Sequence, residues 1–225
     1  MGQSKVKYIF AMVEMDKLVV LEGYKVKPSD REDVCGYVYD GTKHVYLVNR
    51  SSEDVKPRFY NKMIANIEEL TQKMYRPIEI LDIGGGCDSV LAREIASTYK
   101  DKVRVTNLDV VLNTNIEKTS NFKAIHGDVL KMNEFSDNSI DFAYSYKLFQ
   151  WFIKEEKKHR ALNEVARVLK PGGMALLEMG VGFDIPKIEQ SMFENLWNVK
   201  IGFIMDKDGW HTIPLIYLTM DKMGA

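Results

Sequence analysis

Ile80-Leu-Asp-Ile-Gly-Gly-Gly-Cys-Asp-Ser89 is an apolar strand that ends in three glycines and turns into a helix. Glycines at such a turn let the backbone approach a ligand where a side chain would clash. Any α/β protein can use a glycine turn, so the informative residue is Asp82, two positions before Gly84. A dinucleotide loop holds pyrophosphate at a helix N-terminus, and an acid aimed into that pocket would repel it. The dinucleotide spacing G-x-G-x-x-G also fails, because its last position is Ser89. An acid at this turn suits a cationic ligand that carries an amino group.

Outward from this turn the sequence alternates. Ile78 to Ile83 reads as a strand, Val90 to Tyr99 as a helix and Val103 to Leu108 as a strand. Lys123 to His126 and Ile140 to Ser145 are further strands. Glu155 to Leu169 is a helix with Leu162, Val165, Ala166 and Leu169 on one face, and Lys170-Pro-Gly-Gly173 stops it before a strand at Met174 to Met179. Such alternation predicts a doubly wound, Rossmann-like parallel sheet with helices on both faces. Asn198 to Met205 and Thr212 to Met220 flank Asp206-Lys-Asp-Gly209 and read as an antiparallel hairpin closing one edge. Before the sheet, Phe59, Met63, Ile64, Ile67, Leu70 and Met74 fall at helical spacing, with Pro77 beyond the end. Val34 to Tyr39 and His44 to Val48 form a plausible hairpin, and Lys17 to Val26 a further strand. The expected division is an extension or lid over residues 1–55 and one α/β domain over 56–225.

Two more acids stand at strand ends. Asp109 lies 23 residues after Gly86, where a carboxylate can accept both ribose hydroxyls of a nucleoside. Asp128, in His126-Gly-Asp-Val129, follows the third strand and could accept from an adenine amino group; Gly-Asp is also a common turn pair.

Order and spacing here resemble the class I S-adenosylmethionine-dependent methyltransferases, most of all the small-molecule, quinone-pathway-like branch. The likeness covers residues 78–179. The family's acid-x-G-x-G-x-G motif is met by Asp82, Gly84 and Gly86, while its last glycine is Asp88 here. A second motif, L-x-E-x-x-R-V-L-K-P-G-G, matches from Leu162 through Glu164 and Arg167 to Gly173. The resemblance implies a seven-stranded sheet with its last strand antiparallel. It implies S-adenosyl-L-methionine as cofactor and S-adenosyl-L-homocysteine as product. Asp82 and the Gly84, Gly85 and Gly86 backbone would hold the methionine part, Asp109 the ribose, and Asp128 with Val129 the adenine. Ser145 and Tyr146 would face the methionine moiety and the methyl group. Tyr146, Glu178 and His211 are candidate bases, but methyl transfer needs a base only when the nucleophile arrives protonated, and no catalytic residue is assigned.

Composition narrows the partners. The formal charge is -1, with residues 1–77 at +2 and the remainder at -3, so neither part is the basic body that grips many phosphates. A small-molecule acceptor, enclosed by aromatic residues such as Tyr146, Phe149 and Trp151, is therefore expected ahead of nucleic acid. RNA or protein as acceptor, a nicotinamide oxidoreductase and a cofactor-binding protein without catalysis are the alternatives. Against the oxidoreductase, the Tyr-x-x-x-Lys pair of short-chain dehydrogenases occurs only at Tyr39 and Lys43, ahead of the glycine turn. Against amide or base-amino methylation, Ser145-Tyr-Lys-Leu148 stands where an Asn/Asp-Pro-Pro-Tyr tetrapeptide is expected. Cys35 and Cys87 are too few for a zinc site, so no metal is expected. No run of about 20 apolar residues exists for a membrane span, and the first residues lack a signal peptide's apolar stretch. A cytoplasmic location is expected, and oligomeric state is not specified.

Overall fold

Strand pleating explains the layering. In the strand Ile78–Ile83, Ile78, Ile80 and Asp82 point to one face and Leu81 and Ile83 to the other. The structure is a computed structural model that describes residues 18–22, 25–28, 36–39, 44–47, 49–149, 155–178, 199–208 and 211–220. Its elements in chain order begin with β1 (Leu18–Val20), β2 (Lys25–Pro28), β3 (Gly36–Tyr39) and β4 (His44–Leu47). Next come α1 (Pro57–Lys73), β5 (Ile78–Ile83), α2 (Val90–Tyr99), β6 (Val103–Asp109) and β7 (Val111–Asn113). The chain continues through β8 (Phe122–His126), β9 (Ile140–Ser145), α3 (Glu155–Val168), β10 (Leu169–Glu178), β11 (Val199–Asp208) and β12 (His211–Met220).

Five strands run parallel in the order β10-β9-β5-β6-β8. β12 pairs antiparallel with β10, and β11 antiparallel with β12, on the β10 side. This is the α/β, Rossmann-like architecture expected from the alternation. On one face, Ile78 and Ile80, Val103 and Val105, Phe142 and Tyr144 pack with Phe59, Met63, Ile67 and Leu70 of α1 and with Leu91, Ala92, Ile95 and Ala96 of α2. On the other, Leu81, Ile83, Leu108 and Ala143 pack with Ala161, Leu162, Val165 and Ala166 of α3. Burying each large side chain of this kind stabilises the fold by about 1.5–3 kcal/mol. α1 starts at Pro57, whose fixed φ and missing N–H suit the first turn. At its other end Met74 is already extended, ahead of Pro77.

Three local expectations change. Lys17 to Val26 is not one strand: a turn at Glu22 divides it, and β1 and β2 belong to different sheets. β2, β3 and β4 form a three-stranded sheet that contains the expected hairpin. β1 pairs with β7, a strand too short to leave a periodic signal. Lys170 to Gly173 does not lie outside the fifth parallel strand but is a bulge within β10. Leu169 pairs with Ile140, and the register shifts before Met174. Gly172 has φ +79, and a Cβ on Gly173 would lie 2.8 Å from the Lys170 carbonyl oxygen, so the bulge requires this glycine pair.

A buried acid ties the N-terminal ends of three strands together. Asp141 on β9 accepts two bonds from Arg76, at 2.7 and 2.6 Å, one from the Glu79 amide at 2.8 Å and one from Lys170 at 3.0 Å. Burial pushes its carboxyl upward, but Arg76, the amide and Lys170 outweigh burial and hold it below the usual carboxylate range. Asp141→Ala removes all four bonds and should destabilise the protein by about 2–4 kcal/mol. Thermal unfolding is expected to drop by roughly 5–15 °C for a chain of this size. The folded variant should bind cofactor as before, because Asp141 lies at the opposite end of the sheet from the glycine turn.

Candidate functional site

The C-terminal ends of the parallel strands place polar residues in two rows on the α1/α2 face. Asn107, Asp82 and Tyr144 are cross-strand partners on β6, β5 and β9. One pleat further along lie Asp109, Gly84, Tyr146 and Glu178. Because strand side chains alternate, a two-residue step keeps each of these on the same face. An apolar face thus becomes polar over its last two steps, at the end where α/β sheets bind ligands.

Three glycines build the turn. Gly84 has φ +72 and donates its N–H to the Leu108 carbonyl at 2.8 Å. Gly85 donates to Asn107 Oδ1 at 3.2 Å, and Gly86, at φ +91, donates to Asp109 Oδ2 at 2.9 Å. A Cβ on Gly85 would lie 2.5 Å from Asn107 Oδ1 and 2.6 Å from the Asp82 carboxyl carbon. Only a glycine lets the turn fold down onto both side chains. Asn107 fastens the other side, donating to the Gly86 carbonyl at 3.2 Å and to Ser89 Oγ at 2.6 Å. Ser89 precedes α2 in the left-handed region, at φ 53, which that bond helps to hold.

Asp82 is 2 % exposed, and its Oδ2 has no hydrogen-bond partner. Burial pushes its carboxyl up to about 7, the Tyr144 hydroxyl opposes the shift, Asp109 adds to it and Arg50 opposes it. The Tyr144 hydroxyl is itself buried without hydrogen-bond geometry to any partner. Asp109 is half-buried and accepts from the Val111 N–H at 3.0 Å as well as from Gly86. Enclosure pushes it up to about 6, against the pull of the backbone N–H groups and Arg50.

The remaining sequence candidates are placed as follows. Asp128 accepts from the Leu130 N–H at 2.9 Å through Oδ1. Val129 is buried in the α3-side core. Ser145 is buried and donates to the Ile83 carbonyl at 2.8 Å, joining β9 to the start of the glycine turn. Tyr146 accepts the Lys56 N–H at 3.2 Å, and its ring lies 5.1 Å from Phe59. Glu178 is 2 % exposed with Oε2 unpartnered; burial raises its carboxyl, while Lys147, Lys56 and Arg50 pull it down. His211 lies in β12, and its side chain is outside the described residues, as are Gln150, Trp151 and Phe152.

Sequence reading missed four contributors. Asn107 is a polar break in Val103-Arg-Val-Thr-Asn-Leu-Asp109, one pleat before Asp109, and that break is its signal. Tyr144 likewise ends an apolar face. Asn49 and Arg50 come from the N-terminal segment, where no pattern marks them. Asn49 takes the Asp88 N–H at 2.8 Å and donates to Asp88 Oδ2 at 2.5 Å, while Asn113 donates to Asp88 Oδ1 at 3.0 Å. Asp88, standing where the motif has glycine, thus pins the N-terminal segment to the turn. Arg50 Nη1 donates to the Tyr146 carbonyl at 3.4 Å, and its guanidinium carbon lies 5.6 Å from that ring's centroid. Lys147 Nζ lies 5.3 Å from the same centroid. A separate groove of about 750 Å³ lies between α1 and α2, lined by residues including Tyr60, Ile64, Arg93 and Tyr99. It shares no residue with the acid rows.

Residues 81–177 match a family model described as a methyltransferase domain. No curated protein matches the chain in sequence. Among solved structures, phosphoethanolamine N-methyltransferase 2 of Haemonchus contortus, in complex with phosphomonomethylethanolamine and S-adenosylhomocysteine, is 18% identical. That match covers 72% of this chain and 53% of that one, with a TM-score of 0.50. The same enzyme with S-adenosyl-L-methionine gives 19% identity, the same coverage and a TM-score of 0.50. N-methyltransferase NodS of Bradyrhizobium japonicum WM9, with S-adenosyl-L-homocysteine, is 13% identical over 75% of this chain and 90% of its own, at a TM-score of 0.49. At these identities the likeness is one of fold, and this chain spans about half the length of the Haemonchus enzyme.

Proposed function

We propose that the chain is a class I S-adenosylmethionine-dependent methyltransferase, a reading supported by the methyltransferase-domain match over residues 81–177, that it methylates a small-molecule acceptor and that its strand-end acids hold the cofactor. The observation that carries the cofactor placement is Asp82 Oδ2, buried without a partner beneath a turn that only glycine can form. A buried acceptor of this kind suits the protonated amino group of the methionine part. Asp109, anchored by two backbone N–H groups, keeps lone pairs on both oxygens for ribose hydroxyls. Asp128 is the adenine partner in this reading. Val129, deep in the core, supports that loop from beneath. Ser145 and Tyr146 border the methionine side, Ser145 by fixing the Ile83 carbonyl and Tyr146 by joining α1 to β9. We read the β11–β12 hairpin as the closing pair of the family's seven-stranded sheet, with an antiparallel last strand.

The cofactor supplies a sulfonium-bound methyl group and a neutral thioether as leaving group. The protein's own work is alignment, and holding two reactants in a reactive geometry contributes about 7–11 kcal/mol to lowering a barrier. Residues 49–56 support a covering role for the N-terminal segment. Asn49 and Arg50 reach Asp88 and Tyr146, Ser52 N–H donates to Glu94 at 2.7 Å, and Lys56 N–H reaches Tyr146. Glu178, at the β10 end, is the group best placed to take a proton from an acceptor that arrives protonated.

Asp109→Ala removes the ribose partner. Hydrogen bonds to a charged group contribute about 1.5–3 kcal/mol, so S-adenosylhomocysteine affinity should fall roughly tenfold to hundredfold by calorimetry. The acceptor class is tested by incubating the protein with methyl-labelled S-adenosylmethionine and cell extract. Label in the low-mass fraction is expected. Label in RNA or protein, with salt-sensitive binding of that polymer, would replace the small-molecule reading.

A further inference from the structure

β9 carries two aromatic rings on its α1/α2 face, and only one of them bears a hydroxyl. Phe142 and Tyr144 are both fully buried, with ring centroids 6.1 Å apart. Phe142 shows that a bare ring fills this layer between sheet and helices. The Tyr144 hydroxyl therefore needs its own explanation, since a polar group buried without a partner is destabilising. It stands at the step where the apolar face turns polar. Its register partner on β5 is Asp82, and side chains of register partners on adjacent strands share a face.

Each member of this pair has an oxygen that is buried and unpartnered, Asp82 Oδ2 and the Tyr144 hydroxyl. The donors around Asp82 are committed elsewhere. The Gly85 N–H goes to Asn107 Oδ1, the Gly86 N–H to Asp109, and Asn107 Nδ2 to the Gly86 carbonyl and Ser89 Oγ. Charged groups act on the pair from the elements around it. From β6, Asp109 disfavours a charge on Asp82, and from the segment ahead of α1, Arg50 favours it. Burial first, then Asp82 and Glu94 of α2, raise the Tyr144 phenol well above its ordinary range, so it stays a donor at neutral pH. An ionised Asp82 is purely an acceptor. Because the χ2 torsion of an aspartate is soft, a small turn of the carboxyl brings the two into hydrogen-bond geometry.

We propose that Tyr144 is the positioning residue of Asp82: its hydroxyl donates to the ionised carboxylate and holds it beneath the glycine turn, ready for the amino group of the ligand. This assignment rests on the cofactor reading above and adds a residue that acts through Asp82 rather than on the cofactor. A carboxylate offers about four lone-pair sites, so one bond to Tyr144 leaves the others for the amino group. A donor of this kind favours the charged form of the acid over the neutral one. Burial raises Asp82 to about 7 with the Tyr144 hydroxyl already opposing. Without that hydroxyl the acid stays protonated to higher pH and rejects a cation at neutral pH.

Tyr144→Phe removes the hydroxyl and keeps the ring, and two readouts separate positioning from packing. The first needs no ligand. NMR of protein with isotope-labelled aspartate carboxyls follows Asp82, whose signal is identified by its loss in Asp82→Asn. In Tyr144→Phe the midpoint of that titration should move to higher pH, a gain of about tenfold in proton affinity. The second readout is calorimetry. At about pH 6 the variant should bind S-adenosylhomocysteine about tenfold more weakly than wild type. At about pH 9 the two should agree within about twofold, because Asp82 is then ionised in both free proteins. 5′-methylthioadenosine, which lacks the amino-acid part, should bind both proteins alike, which also shows that the variant is folded. An unmoved Asp82 titration, or a loss of S-adenosylhomocysteine affinity that is equal at both pH values, overturns the assignment. Failure of the wild-type protein to bind S-adenosylhomocysteine contradicts the cofactor reading, while the NMR titration still decides whether Tyr144 holds Asp82.

Discussion

Gly85→Val should abolish measurable S-adenosylmethionine binding. A Cβ at this position already lies 2.5 Å from Asn107 Oδ1 and 2.6 Å from the Asp82 carboxyl carbon, well inside contact distance. Neither neighbour can retreat. Asn107 is fully buried and bonded to the Gly86 carbonyl and Ser89, and Asp82 is enclosed on its strand. The turn must therefore lift, breaking the Gly85 to Asn107 and Gly86 to Asp109 bonds. Both acids then lose their orientation together. The expected loss exceeds about a hundredfold, more than one charged hydrogen bond contributes. Circular dichroism should still show the α/β fold, since the apolar side chains that α1, α2 and α3 bury against the sheet are unchanged by the substitution. Binding within about threefold of wild type would mean that the turn does not border the cofactor.

Cofactor affinity should depend on pH in a direction set by Asp82. Burial raises its carboxyl to about 7, so the free protein holds it largely protonated in mild acid. A cationic amino group needs the ionised form. Binding below about pH 7 must therefore release a proton, and affinity falls by about tenfold for each further unit of acid. From pH 8 to pH 5 the expected loss is roughly a hundredfold. Stability of the free protein runs the opposite way. The raised carboxyl contributes stability that is present at low pH and lost as pH rises through about 7, and bound cofactor offsets that loss. Titrations in buffers of different ionisation enthalpy measure the released proton directly. Asp82→Asn should flatten the profile and remove the proton release. A profile that stays steep in Asp82→Asn would assign the dependence to another group, such as Asp109, itself raised to about 6.

What was legible in the sequence, and what was not, follows the range of the forces involved. β5 and α2 match their sequence spans residue for residue, because apolar runs and helical spacing are local signals. Asp82, Asp109 and Glu178 were legible as acids that end apolar strands. Asn107 escaped notice because its role is tertiary: it lies one pleat inside β6 and is recognised by what it bonds on another strand's turn. Arg50 and Asn49 come from a segment with no amphipathic period, and their placement depends on Asp88 and Tyr146, up to 96 positions away. The Lys170 to Gly173 bulge read as a helix stop, since glycine and proline signal both, and only the pairing of Leu169 with Ile140 distinguishes them. Asp88 read as a departure from a glycine motif. Its hydrogen bonds to Asn49 and Asn113 show a connector between the turn and the N-terminal segment.

The central claim is that the strand-end acids form one site for an adenosyl ligand with a cationic methionine part and no phosphates. Calorimetric titration of the protein with S-adenosylhomocysteine, alongside NAD, tests it most directly. The account predicts one-to-one binding of S-adenosylhomocysteine, weakened in Asp109→Ala and lost in Gly85→Val, with no binding of NAD. Tight binding of NAD with no response to S-adenosylhomocysteine would contradict it.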